Sequence, residues 1–94
     1  MVIALSEAEF ESWCFRNGGE TYEEEETAGV VCRFPDAETT DRVGYYAANG
    51  VLEVITNGRF YRSRSVHQHA DARIDADDRL QIDTTEARVV VDPR

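Results

Sequence analysis

The sequence predicts an α+β fold, with one N-terminal helix packed on a curved antiparallel meander sheet or a small partly open barrel of six or seven strands. Three observations predict it. A helix-start signature at Ser6 is followed by apolar residues at helical spacing. The dipeptide Asn-Gly occurs twice, at 49–50 and 57–58. Short alternating runs then continue to residue 92 between turn residues. At 94 residues the chain has the length of a single domain with one modest core, spanning 1–94.

The helix is expected over about 7–16. Ser6 and Glu9 form a capping box, in which the Ser6 side chain accepts from the Glu9 amide and Glu9 reaches back to the Ser6 amide. Leu5 can staple against Phe10. Phe10, Trp13 and Cys14 share one apolar face, Glu7 and Glu9 suit the positive end of the dipole, and Arg16 precedes the Asn17, Gly18, Gly19 stop.

Residues 21–27 carry four consecutive Glu and are an exposed strand or a loop, since no face can bury that charge. The meander is expected from 29 to 92. Val30, Cys32 and Phe34 alternate with Val31 and Arg33 until Pro35 stops the strand. Asn-Gly between alternating runs is the strongest short-range signal for a two-residue type I′ hairpin. With both turns closed that way, Ala48 faces Val51 and Thr56 faces Arg59. Tyr45, Val54 and Tyr61 then form one row, and Tyr46, Glu53 and Arg62 form a row on the other face.

The two faces differ in kind. Val43, Tyr45, Ala47, Leu52, Val54 and Tyr61 make a floor for Phe10 and Trp13. Tyr46, Ala48, Val51, Glu53, Ile55, Phe60, Arg62 and Arg64 make a face half apolar and half charged, of the sort another part of the chain or a partner covers. Further on, the chain alternates from Val66 to Ile74, turns at Asp75 to Asp78, and ends with two short strands. Leu80 and Ile82 share a face of the first of these, and Val89 and Val91 a face of the second, with Val90 opposite.

All ten basic residues are Arg, none is Lys, and nineteen acids give a formal net charge of -9. This composition fits a halophile, whose carboxylate surface is screened by salt, more readily than codon bias alone. The charge is uneven. Eleven acids face two Arg before residue 42, while acids and Arg balance at eight each afterwards. Bulk charge therefore opposes nucleic-acid binding, and only a local patch could support it. No apolar run is long enough to span a bilayer, and residues 1–6 lack the features of a signal peptide. Those observations point to the cytoplasm, or to a particle assembled there. Cys14 and Cys32 have no zinc spacing and read as small buried hydrophobes.

Two constellations could carry chemistry. His67, His69 and Asp71 stand at alternate positions, where two imidazoles and a carboxylate on one strand face could hold zinc. The run resembles the His-x-His-x-Asp-His motif of metallo-β-lactamase-like hydrolases over five residues. That resemblance would imply metal-dependent hydrolysis, yet Ala72 stands where the motif carries its next His, and the chain has no third His. Between residues 59 and 69 there are three Arg, two aromatics and two His without one acid. Arg59, Tyr61, Arg62 and Arg64 are there the candidates for phosphate pairing and base stacking. The structural reading, with Tyr61 in the core, Arg62 paired with Glu53 and the other Arg with nearby carboxylates, accounts for them better, since acids outnumber bases overall.

Neither Cys has a His nearby, and neither a phosphate loop nor a nucleophile elbow occurs, so no catalytic residue and no cofactor is assigned. The expectation is a non-enzymatic structural or protein-interaction module of a halophile or halophilic virus, a subunit of a larger assembly, homo-oligomeric or mixed. Its interaction surface is Tyr46, Val51, Ile55, Phe60, Arg62 and Arg64. The alternatives are a small nucleic-acid-binding or regulatory protein using 59–69, and a metal-dependent enzyme centred on His67 and His69.

Overall fold

Ser6 opens α1 (Glu7–Arg16), the one helix among the described residues, as its sequence predicts. The Ser6 hydroxyl oxygen accepts from the Glu9 amide at 3.1 Å and donates to the Glu9 carboxylate at 2.9 Å. The return half of the capping box thus runs through the hydroxyl. The structure is a computed structural model and describes residues 5–26, 28–37, 40–46, 50–57, 62–68, 71–83 and 88–93.

Among the described residues eight strands follow the helix: β1 (Glu20–Glu24), β2 (Gly29–Arg33), β3 (Thr40–Tyr46), β4 (Val51–Asn57), β5 (Arg62–Gln68), β6 (Asp71–Ile74), β7 (Leu80–Asp83) and β8 (Arg88–Val91). They form two antiparallel sheets, a five-stranded one in the order β1-β2-β3-β4-β5 and a three-stranded one in the order β6-β7-β8. Helix plus antiparallel meander is therefore the architecture, but the single sheet or barrel of six or seven strands is not. The alternating run from Val66 to Ile74 is split, with β5 ending at Gln68 and β6 beginning at Asp71 in the other sheet.

The reason for the split lies in long-range contacts. The Trp13 indole N–H donates to the Asp78 carbonyl at 2.8 Å, and Arg16 and Asn17 donate to the Asp78 carboxylate at 2.8 and 3.1 Å. The turn between β6 and β7 is thus fastened to the last turn of the helix. Asp75 shapes that turn: its carboxylate accepts from the amides of Asp77 and Arg79, both at 2.9 Å, and from the Gln81 side chain at 2.6 Å. These bonds hold its carboxyl down to about 2, the Arg79 amide contributing most.

The hairpin registers also differ from the two-residue turns expected. Tyr46 pairs with Val51, and Asn57 with Arg62, so each connection holds four residues. Thr56 lies opposite Ser63, Tyr45 opposite Leu52, Val54 opposite Ser65, and Glu53 between Gly44 and Val66. Asn-Gly marks a turn without fixing how many residues precede or follow it, and four-residue connections are also common. Gly50 keeps the expected positive φ of 65°. The shifts are by two and by four residues, both even, so Val43, Tyr45, Tyr46, Val51, Leu52, Glu53, Val54 and Ile55 keep the faces they were assigned.

The core follows from those faces. Val43, Tyr45, Leu52 and Val54 are buried, with Phe10, Trp13, Val30 and Phe34, and Ala72, Leu80, Ile82 and Val91 of the smaller sheet complete the same cluster. Val89 packs against it and Val90 points away. Phe10 stacks on Tyr45 with centroids 5.3 Å apart, and Trp13 meets Phe34 edge-on at 5.4 Å. The Tyr45 hydroxyl donates to the Leu5 carbonyl. Ala47 and Tyr61, expected on this floor, lie outside the described residues.

Cys14 and Cys32 are buried as expected, but they are not free thiols. They form a disulfide, with Cα atoms 5.9 Å apart and a sequence separation of 18. The helix face carrying Phe10 and Trp13 sets Cys14 down on the inner face of β2, where Cys32 alternates with the outward Val31. That meeting depends on how α1 lies across the sheet, which spacing along the chain does not reveal. Among the described residues, no helix is long and apolar enough to cross a membrane.

Candidate functional site

The outward face of the five-stranded sheet collects residues from all five strands. Register places Tyr22 and Glu24 of β1 beside Val31 and Gly29 of β2, then Gly44 and Tyr46 of β3, then Glu53 and Val51 of β4. An open cavity of about 590 Å³ lies on this face, and no described residue of α1 or of β6 to β8 lines it. Val31 forms a buried part of its floor, Val51 and Ile55 are half-buried, and Val66 at its border is 46% exposed.

Tyr46 occupies the centre. A Cβ built on Gly29 would meet its Cδ1 at 2.2 Å, and one built on Gly44 would meet its Cε2 at 2.7 Å. The ring therefore lies on bare backbone of two adjacent strands, at positions where only glycine leaves room. The Tyr46 hydroxyl donates to Glu24 Oε2 at 2.9 Å. Burial, followed by the bond to Glu24 and the negative charge of Glu24 and Glu53, pushes its pKa up to about 12. Such a phenol stays protonated and neutral through the physiological range. It is a fixed hydrogen-bond donor rather than a base.

Arg42 supplies the cation of the cavity wall. Its Nε donates to the Asp41 carboxylate at 3.0 Å. Partial burial works against its charge, but Asp41 and then Tyr22 outweigh that and raise its pKa. Tyr22, 43% exposed, stands at the β1 edge of the same face. The face thus offers an apolar floor, a half-buried phenol bonded to Glu24, and a rim in which Glu24 and Glu53 flank the apolar strip. It can seat apolar side chains and attract a cation beside them. Among the described residues no Ser, Thr, Cys or Lys lines it.

Of the expected interaction surface, Tyr46, Val51 and Ile55 share this face. Phe60 lies outside the described residues. Arg62 and Arg64 pair with Asn57 and Ile55 in β5, their side chains being outside the description. Arg59 and Tyr61, candidates with them for nucleic-acid contact, also lie outside it. The expected single-strand face of His67, His69 and Asp71 does not form: His67 pairs with Leu52 in β5, whereas Asp71 pairs with Asp83 in the other sheet. His69 is outside the described residues. Strand order separates the two ends of that motif.

Sequence reasoning missed Tyr22, Val31, Arg42, Val66 and the two glycines. The signal for Tyr22 and Glu24 was their alternation within the acidic run, which acquires meaning only once β1 is paired with β2. Gly44 lies two residues before Tyr46 on the same strand face, a spacing that would have flagged the ring's resting place. Compared with family models, curated proteins and solved structures, the chain finds no match.

Proposed function

We propose that the protein is a non-enzymatic interaction module, a subunit of a larger assembly, and that the outward face of its five-stranded sheet docks another protein chain. The observation that carries this reading is the cavity itself: apolar side chains open to solvent on a face that neither the helix nor the second sheet lines. Solvent-exposed apolar patches of this kind accompany partner sites. The carboxylates of Glu23, Glu24 and Glu25 on the β1 side of the cavity favour a segment that brings apolar side chains with a Lys or Arg among them, and they disfavour a phosphate backbone. The disulfide between Cys14 and Cys32 supports a working place that is oxidising, such as a particle exposed to the exterior, over a reducing cytosol.

The test is a pair of charge insertions, Val51→Asp with Ile55→Asp, in the protein purified from its native source in about 2 M KCl, where exposed ion pairs are screened and apolar contacts persist. Light scattering reads the mass and circular dichroism the fold. Wild type is expected in a complex and the folded double variant as a monomer. A folded variant that remains in the complex would move the docking surface elsewhere.

A further inference from the structure

The two ends of the five-stranded sheet carry opposite charge. At one end is β1, where residues 20–26 include five Glu and no base. At the other is β5, within a segment from 59 to 69 that has three Arg and no acid. No strand among the described residues lies beyond either end. Glu20 and Glu23 of β1 are exposed.

An unpaired strand presents a row of backbone donors and acceptors, and charged side chains are a common means of keeping such edges apart. Keeping edges apart would need only one sign, and this chain has acid in abundance. Two signs on the two ends do something different. They reject β1 against β1 and β5 against β5, since like charges facing across a strand pair are unfavourable, and they admit β1 against β5.

We propose that copies of this chain join edge to edge, β1 of one copy pairing with β5 of the next. The occupant of each edge is thus a second copy, selected by charge complementarity. The ladder is limited by β1, with five residues against seven in β5. Because the two surfaces are different, the contact is heterologous, and repeating it produces a ring when the rotation closes and a filament when it does not. The outward faces of successive copies then line up along one continuous sheet. This contact uses the backbone edges of β1 and β5, whereas the docking face is the outward surface between them, although Tyr22, Glu24 and Val66 belong to both.

The experiment is charge exchange, read as mass by light scattering against protein concentration in about 0.15 M salt, where exposed charges still act at contact range. Wild type is expected to self-associate. Glu20→Arg with Glu24→Arg, two positions that share one face of β1, and separately Arg62→Glu with Arg64→Glu, should each weaken association by at least about a hundredfold. Mixing the two variants, or combining all four substitutions in one chain, should restore it. Gln at the same positions gives a milder second set should a reversed variant not fold, and circular dichroism reports that directly. A monomeric wild type, association unaffected by either reversal, or folded variants that exchange does not rescue would overturn the proposal. Failure of the docking-face reading is separately visible, because that contact persists in molar salt whereas edge pairing chosen by charge weakens there.

Discussion

Breaking the bond between Cys14 and Cys32 tests the link on which helix and sheet depend. Both residues are fully buried, one on α1 and the other in the second strand of the sheet. The bond closes a loop of 18 residues that contains β1 and its acidic turn. Loop closure of that length removes unfolded-state entropy equivalent to about 3 kcal/mol. For a chain of this size, each kcal/mol moves the melting midpoint by roughly 4 to 8 °C, so reduction should lower it by about 12 to 24 °C. The sulfurs lie against the backbone of Gly19, where a Cβ would be 2.5 Å from one and 2.7 Å from the other. Reductant should therefore act slowly on the native protein and quickly after partial unfolding. The assay is a thermal melt by circular dichroism, before and after reduction, with thiols counted by alkylation and mass spectrometry. Cys14→Ala with Cys32→Ala should reproduce the loss in the absence of reductant. A midpoint that moves by less than about 4 °C once both thiols are confirmed would refute the reasoning.

Trp13→Ala should cost about 3 to 5 kcal/mol in urea unfolding, because the fully buried ring is lost together with its bond to Asp78. Trp13→Phe should cost less, and equal losses would place the effect in the hydrogen bond rather than in packing. Gly50→Val should destabilise by more than about 1 kcal/mol, since a β-branched residue tolerates the left-handed region poorly; a neutral result would mean that the turn is differently formed. Asp75 has a folded pKa of about 2, below its unfolded value, so it contributes stability that is present above roughly pH 4 and lost as pH falls towards 2. Asp75→Asn should flatten acid unfolding measured across that window, and an unchanged acid limb would contradict this role. Thermal midpoints should rise between about 0.1 M and 2 M KCl as the repulsion of the acidic first half is screened; an equal or lower midpoint at high salt would remove the halophilic interpretation.

Local chemistry made the helix readable, and two-residue periodicity made the faces readable. Ser6, Glu9 and the stop after Arg16 place α1 because capping is settled within a few residues. Val43, Tyr45, Leu52 and Val54 fall on the buried face because alternation survives any even error in register. What was hidden depends on residues far apart in sequence. The acidic run could be paired only after β2 had its place, and the Cys pair met only after the helix lay across the sheet. The second sheet broke away from the first because Trp13, Arg16 and Asn17 reach Asp78, more than sixty residues further on.

Tyr46 shows why the outward face is a surface rather than a failed core. A core would fill the room above Gly29 and Gly44 with larger aliphatic side chains and would leave no phenol needing a carboxylate partner. Here the two glycines leave room for one ring, and Glu24 holds that ring by accepting a hydrogen bond of 2.9 Å from its hydroxyl. The cost is a carboxylate held next to partly buried aromatic surface, which is tolerable only while water reaches the rim. On the proposed reading, the same arrangement would give a docking segment an aromatic plate already held in place and bordered by negative charge, so that little side-chain freedom would remain to be lost on binding. An apolar side chain with an Arg or Lys neighbour would bury Val51 and Ile55 and shield Glu24 and Glu53 in a single step. The packing that makes Tyr46 costly to maintain alone is thus the packing that a cationic, apolar partner would complete.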